Sequence, residues 1–289
     1  MSMRDARSHP ALERVLAIAR DDARVLAVIV SGSLADPEAT PDAFQDVDVV
    51  LVTDDAHALA ADAAFLERFG VAAIVQRPDE MLAATPRHDG GVSVLMLFVD
   101  DTRVDLTLLP SAAMDGFEHD GPSLVPFDPD DLVPPVPPDA ASRFAPRRPS
   151  ARAFAECCNE FWWVAPYVAK GLRRAQVTYA AHHLDVVLRR ELLRLLDWHV
   201  GEASAWRRGG GTHGRDLERR LEPELWRRLL ATYADADPAH VWRALEAMTA
   251  LFHDVASSLA RRLELAYPHE DAERVRAHLE RMAPRRTDA

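Results

Sequence analysis

The chain has 289 residues, 48% of them hydrophobic and 28% charged, enough for one large domain or two ordinary ones, each with its own core. A formal net charge of -12 argues against nucleic acid as the main partner, because binding a phosphate backbone takes a basic surface. The same acidity suits a cationic small molecule drawn to an acidic cleft, or simply the solubility of a cytosolic protein.

The N-terminus, Met1 to Pro10, is polar and lacks the apolar stretch of a signal peptide. No apolar run is long enough to span a membrane, so a cytoplasmic protein with no membrane partner is expected. Pro10 to Asp22 has helical spacing, with Leu12, Val15, Leu16 and Ala19 on one face. Val25 to Val30 is a short apolar run that ends at Ser31-Gly32-Ser33, a buried strand entering a tight turn. Val47 to Thr53 is a second strand, Ala56 to Phe69 a helix closed by Gly70, and Ala72 to Gln76 a third strand. Val92 to Val99 and Arg103 to Leu109 flank Asp100-Asp101-Thr102 as a hairpin, so the sheet is at least partly antiparallel. Prolines crowd between Pro122 and Pro149, which rules out a long helix or a central strand and marks a connector. After Ser150 helical patterns dominate: Ala153 to Arg174, Val177 to His199, Pro223 to Tyr233 and Ala239 to Tyr267. The expected organisation is an α/β domain with a mixed sheet over residues 1–135, a proline-rich linker over 136–150, and a mostly α-helical domain over 151–289. There is no internal repeat, and Gly209-Gly210-Gly211 lacks the lysine of a P-loop. Cys157 and Cys158 have no metal-type spacing and read as small buried apolar filler.

The chemistry is expected where Gly32-Ser33 is followed by Asp46-Val47-Asp48. Residues two apart on a strand share a face, so Asp46 and Asp48 present two carboxylates together. Like charges so close call for a cation, and magnesium takes carboxylate oxygens together with substrate phosphates. Asp105 interrupts an otherwise apolar strand, where an unpartnered carboxylate is expensive. If that strand pairs beside the Asp46 strand, the three acids converge. Gly32 would let the backbone approach a phosphate, and Ser33 would offer it a hydroxyl and an amide.

The order Gly-Ser, Asp-x-Asp and a strand Asp resembles the nucleotidyltransferase fold shared with DNA polymerase β. More narrowly, the chain resembles the aminoglycoside 6-adenylyltransferases, also called streptomycin adenylyltransferases. Phe69-Gly70, Gln76-Arg77-Pro78-Asp79-Glu80 and Phe98 through Leu108 carry the likeness in the first half. Asn159 through Trp163, Val168 through Leu172 and Leu225 through Leu230 carry it in the second. The resemblance implies magnesium-dependent transfer of AMP from ATP to a hydroxyl of a streptomycin-like aminoglycoside, with release of pyrophosphate. Asp46, Asp48 and Asp105 would hold the metal, Asp105 being third ligand or base, with Gly32, Ser33 and Lys170 on the nucleotide. Leu34 stands where the family has Arg, Gln45 where it has Ser, and Gly211 through Arg215 where it has a basic glycine-lysine segment. Pro166 enters a helix that the family leaves uninterrupted.

Glu160, Trp163, Tyr167, Lys170 and Arg174 fall at helical steps and line one stripe, which Pro166 is expected to bend. Lys170, the sole lysine of the chain, is expected to contact the triphosphate. Glu160, Trp163 and Tyr167 are expected to face the acceptor, since carboxylates and aromatic faces both attract cations. The bland readings are a solvated lysine and tryptophans buried in helix packing. Two other functions fit the same fold: a regulatory protein, antitoxin-like or protein-adenylylating, that acts on a protein partner, and a non-catalytic relative, against which the three acids speak.

Overall fold

A computed structural model describes residues 9–37, 39–85, 87–138 and 145–284. Of the expected connector, residues 139–144 lie outside the described residues, as do the first eight residues of the N-terminus. The chain divides into two compact units, Met1–Arg143 and Phe144–Ala289.

The first unit is built on six strands: β1 (Ala27–Val30), β2 (Val47–Thr53), β3 (Ala72–Gln76), β4 (Val92–Phe98), β5 (Arg103–Pro110) and β6 (Leu124–Phe127). Their order is β3-β4-β5-β2-β1-β6. β2 and β5 run parallel and the other neighbours antiparallel, which makes the sheet mixed. Strict alternation sorts the two faces. Val47, Val49 and Leu51 of β2, Val104, Leu106 and Leu108 of β5, and Val92, Val94, Met96 and Phe98 of β4 point into one core. The amphipathic helix α1 (Pro10–Asp21) adds Leu12, Val15 and Leu16 to it. Asp48, Arg103 and Asp105 alternate onto the opposite face.

The expected helix over Ala56 to Phe69 is two helices, α2 (Ala56–Ala61) and α3 (Ala63–Glu67). Asp62 ends the first and caps the second by accepting from the Phe65 amide at 3.2 Å, a local bond that competes with helix continuation. The proline-rich stretch contains β6, where the density of prolines predicts only a connector. Pro126 lies on this edge strand, where a missing amide costs no ladder bond.

The second unit is helical. Helix α4 (Ala151–Arg173) starts at the Ser150 cap and runs through Pro166 as one element. Helix α5 (Val177–His182) passes into a π-helical turn (His183–Leu188) and then α6 (Arg189–Ala203), so the single helix expected over Val177 to His199 is interrupted. After α7 (Leu217–Arg220) and α8 (Pro223–Leu230) comes α9 (Pro238–Leu263), and then α10 (His269–Met282). Helix α9 stops short of Tyr267 because Glu264 turns left-handed at φ 56°. Phe161 of α4 stacks on Phe252 of α9 with ring centroids 3.7 Å apart, anchoring the core.

Cys157 and Cys158 face that core as free thiols. Burial pushes the Cys158 thiol up to about 12 and raises Cys157 as well, and it is the thiolate that reacts. The native protein is therefore expected to resist Ellman's reagent at pH 8 and to release both thiols in guanidinium. Fast reaction of either thiol in the native state would contradict this packing.

Candidate active site

The acidic face is fixed by strand register. Asp48 of β2 lies directly opposite Asp105 of β5 in the parallel ladder, so two carboxylates on neighbouring strands stand side by side. Asp46 precedes β2 and joins them through Arg103. The guanidinium of Arg103 donates from Nε to Asp105 Oδ1 and from Nη2 to Asp105 Oδ2, both at 2.8 Å. Its Nη1 lies 3.5 Å from Asp46 Oδ2. Arg103 and Asp105 are two apart on one strand and share a face, which is what brings the fork onto the carboxylate. Partial burial raises the Asp46 pKa from its ordinary value. Arg103 pulls it down and the Asp105 charge pushes it up. Among the described residues, no three His, Cys, Asp or Glu side chains are gathered as a ready metal cage. Arg103 is not among the residues that the sequence pattern singles out. Its signal was the spacing Arg103-x-Asp105, which sets a cation beside a carboxylate on any strand.

Gly32 opens the 3-10 turn Gly32–Leu34 after β1, with Ser33 inside it. The amide of Ser31 donates to the Asp48 carbonyl at 2.9 Å, tying the turn to β2. Gly32 has φ +67°, and a Cβ there would sit 2.0 Å from Asp48 Oδ2. Only hydrogen fits between this backbone and the carboxylate. Leu34 is 3% exposed and packs in the core of the first unit, which suits an apolar residue where the family has Arg. Gln45, beside Asp46, has a buried amide nitrogen without a hydrogen-bond partner among the described residues.

In the second unit Glu160, Tyr167 and Lys170 are half-buried and Trp163 is 64% exposed. Lys170 Nζ lies over the Tyr167 ring, 4.6 Å from its centroid. Glu160 lies 4.0 Å from the Arg190 guanidinium. The two adjacent tryptophans part company. Trp162 is core and donates from Nε1 to Tyr267 Oη at 3.2 Å. Trp163 is exposed, and both rings line a cavity of about 610 Å³ with Asn159, Tyr267 and Asp271, of which Glu160, Tyr167 and Lys170 are not lining residues. The segment Gly211 through Arg215 forms a tight turn, and Gly211, His213 and Gly214 line a second cavity, of about 560 Å³. Arg189, Arg190 and Arg194 of α6 line it too, so three cations stand next to a segment whose own guanidinium is that of Arg215.

The streptomycin adenylyltransferase family profile matches residues 3–282. The chain belongs to that family. It is 35% identical over 260 residues to an aminoglycoside 6-adenylyltransferase of Campylobacter jejuni, covering 89% of each chain. To the enzyme of the same name from Bacillus subtilis it is 31% identical over 258 residues, covering 89% of this chain and 91% of the relative. The crystal structure of an aminoglycoside 6-adenyltransferase from Bacillus subtilis aligns over 94% of this chain and 97% of its own, at 28% identity and a TM-score of 0.48. No helix among the described residues is long and apolar enough to cross a membrane.

Gly32→Ala is expected to lower stability by about 1–3 kcal/mol, through the left-handed backbone and the clash with Asp48. Thermal unfolding of the purified variant measures this, and an unchanged melting temperature would refute the close approach.

Proposed function

We propose that this adenylyltransferase-family chain transfers AMP from ATP to a hydroxyl of a streptomycin-like aminoglycoside and releases pyrophosphate. The observation that supports it most is the register that sets Asp48 against Asp105 beside Gly32, in a chain of this family.

The acids suit a hard divalent cation. Two carboxylates are cross-strand neighbours, and the third has its pKa raised partly by the charge of Asp105; a cation relieves that repulsion. Asp46, Asp48 and Asp105 would hold magnesium, which when bound supplies charge neutralisation for the attacked phosphate and for the pyrophosphate. The acceptor oxygen bonds to the α-phosphorus as the bond to the bridging oxygen breaks, and pyrophosphate leaves with that electron pair. Asp105 is either a ligand or the base that takes the hydroxyl proton on a carboxylate oxygen. Gly32 admits a phosphate close to the backbone, and Ser33 offers it a hydroxyl and an amide. Lys170 provides a compact ammonium for the phosphates. Glu160, Trp163 and Tyr167 serve the cationic acceptor, which competes with Arg190 for the Glu160 carboxylate.

A panel of aminoglycosides with ATP and magnesium, read as pyrophosphate release, tests the reading. Streptomycin or a close relative is expected to be the best substrate. Asp48→Asn is expected to keep the fold and lose transfer by about a hundred- to a thousandfold, the scale of removing one electrostatic element of a transition-state site. No turnover of any aminoglycoside, with AMP appearing instead on a cellular protein, would overturn it.

The acceptor site makes a separate expectation. Binding of streptomycin by calorimetry should weaken as salt screens its charge pairs. Glu160→Gln should weaken it further while leaving ATP binding intact. Because Trp163 is exposed, Trp163→Ala should lower acceptor affinity with little loss of thermal stability. Salt-independent binding that both variants retain would remove the acceptor assignment.

A further inference from the structure

We propose that Arg103 is a built-in counter-ion that holds the acidic site until a divalent cation displaces it. The inference rests on reading Asp46, Asp48 and Asp105 as cation ligands, and it deepens that reading.

The register leaves two carboxylates adjacent on neighbouring strands, an arrangement that destabilises a sheet unless positive charge is near. Arg103 supplies that charge. Its fork engages both oxygens of Asp105 at 2.8 Å and also reaches Asp46 at 3.5 Å. A cation that needs an oxygen of Asp105 must compete with a charge-assisted bond already formed there. The arginine is placed to yield. Its side chain is 43% exposed, at the first residue of β5 beyond the hairpin turn, so a swing into water keeps the guanidinium solvated. The exchange cannot run through loss of its proton, because a guanidinium stays charged at any working pH. It must be a movement, with one mobile positive charge leaving as two fixed ones arrive. The cation-free protein thus keeps its carboxylates paired, and its affinity for the cation lies below that of the bare acids.

The test is calorimetric titration with MgCl₂ and MnCl₂, alongside thermal unfolding in EDTA and in magnesium. Wild type, Arg103→Gln, Arg103→Lys and Asp48→Asn are compared. Arg103→Gln is expected to bind either cation about tenfold more tightly, the scale of freeing one charge-assisted pair. It should also melt below wild type in EDTA, with magnesium closing that gap. Arg103→Lys should fall between them, since an ammonium keeps the charge and loses the fork; it carries the comparison if the glutamine variant fails to fold. Asp48→Asn should lose cation binding, which locates the titrated site at the acids. Equal affinity in wild type, Arg103→Gln and Arg103→Lys would overturn the counter-ion role and leave the cation site standing. Weaker binding in Arg103→Gln would also overturn it, making the arginine a support that orients Asp105. No binding in wild type or in either Arg103 variant would overturn the cation site and this inference together.

Discussion

Two aspartates from separate parts of the chain are held against each other by the parallel pairing of β2 with β5. Neither strand can shift by one residue to relieve the repulsion. Such a slip would turn Val49 or Leu106 out of the core and an acid into it. The hydrophobic face therefore enforces an electrostatic cost on the other face. Most of what surrounds the pair can be understood as accommodation of that cost: the arginine fork on Asp105, the partial exposure of Asp46, and a turn so close that its first residue carries no side chain.

The second unit distributes charge differently. Its buried cation, Arg189, is met by the Thr232 hydroxyl and carbonyl and lies over the Tyr233 ring, 3.6 Å from the centroid. Partners of that kind offset part of the desolvation cost, while its Nε is buried without a hydrogen-bond partner among the described residues. Arg190 and Arg194 share the buried Glu191. The π-helical turn directly before Arg189 breaks the regular spacing of this helix, and π turns of this sort gather where side chains must be aimed rather than merely packed.

Much of the first unit could be read from its sequence because alternation is a local signal. The runs at Val47, Val92 and Arg103 each show it, and the structure places strands there. The partnership of Asp48 with Asp105 was foreseeable only as a condition, since pairing between strands far apart in sequence depends on the crossover that joins them. Arg103 went unnoticed because an arginine next to an acid on a strand reads as solvated surface. What distinguishes it is the acid on the neighbouring strand, which no local pattern reveals. The break at Asp62 was legible in principle, as an aspartate three residues before Phe65 is a cap signature. In the second unit, helical periodicity set Trp163 in line with Glu160, Tyr167 and Lys170. Periodicity fixes direction around an axis but not the neighbours met there, and Trp163 turns toward Tyr267 and Asp271.

Pro126 gives the two borders of the sheet unequal characters. A border strand ordinarily offers an unbroken row of amides and carbonyls to any extended segment that drifts alongside, and this invites unintended association. On β6 that row is short, irregular in its register opposite Val28 and Val30 of β1, and interrupted by a residue with no amide hydrogen to give. An incoming segment would find its hydrogen-bonding pattern broken within four residues. The same proline that disguises this strand in the sequence thus makes that border of the sheet a poor template for an added strand.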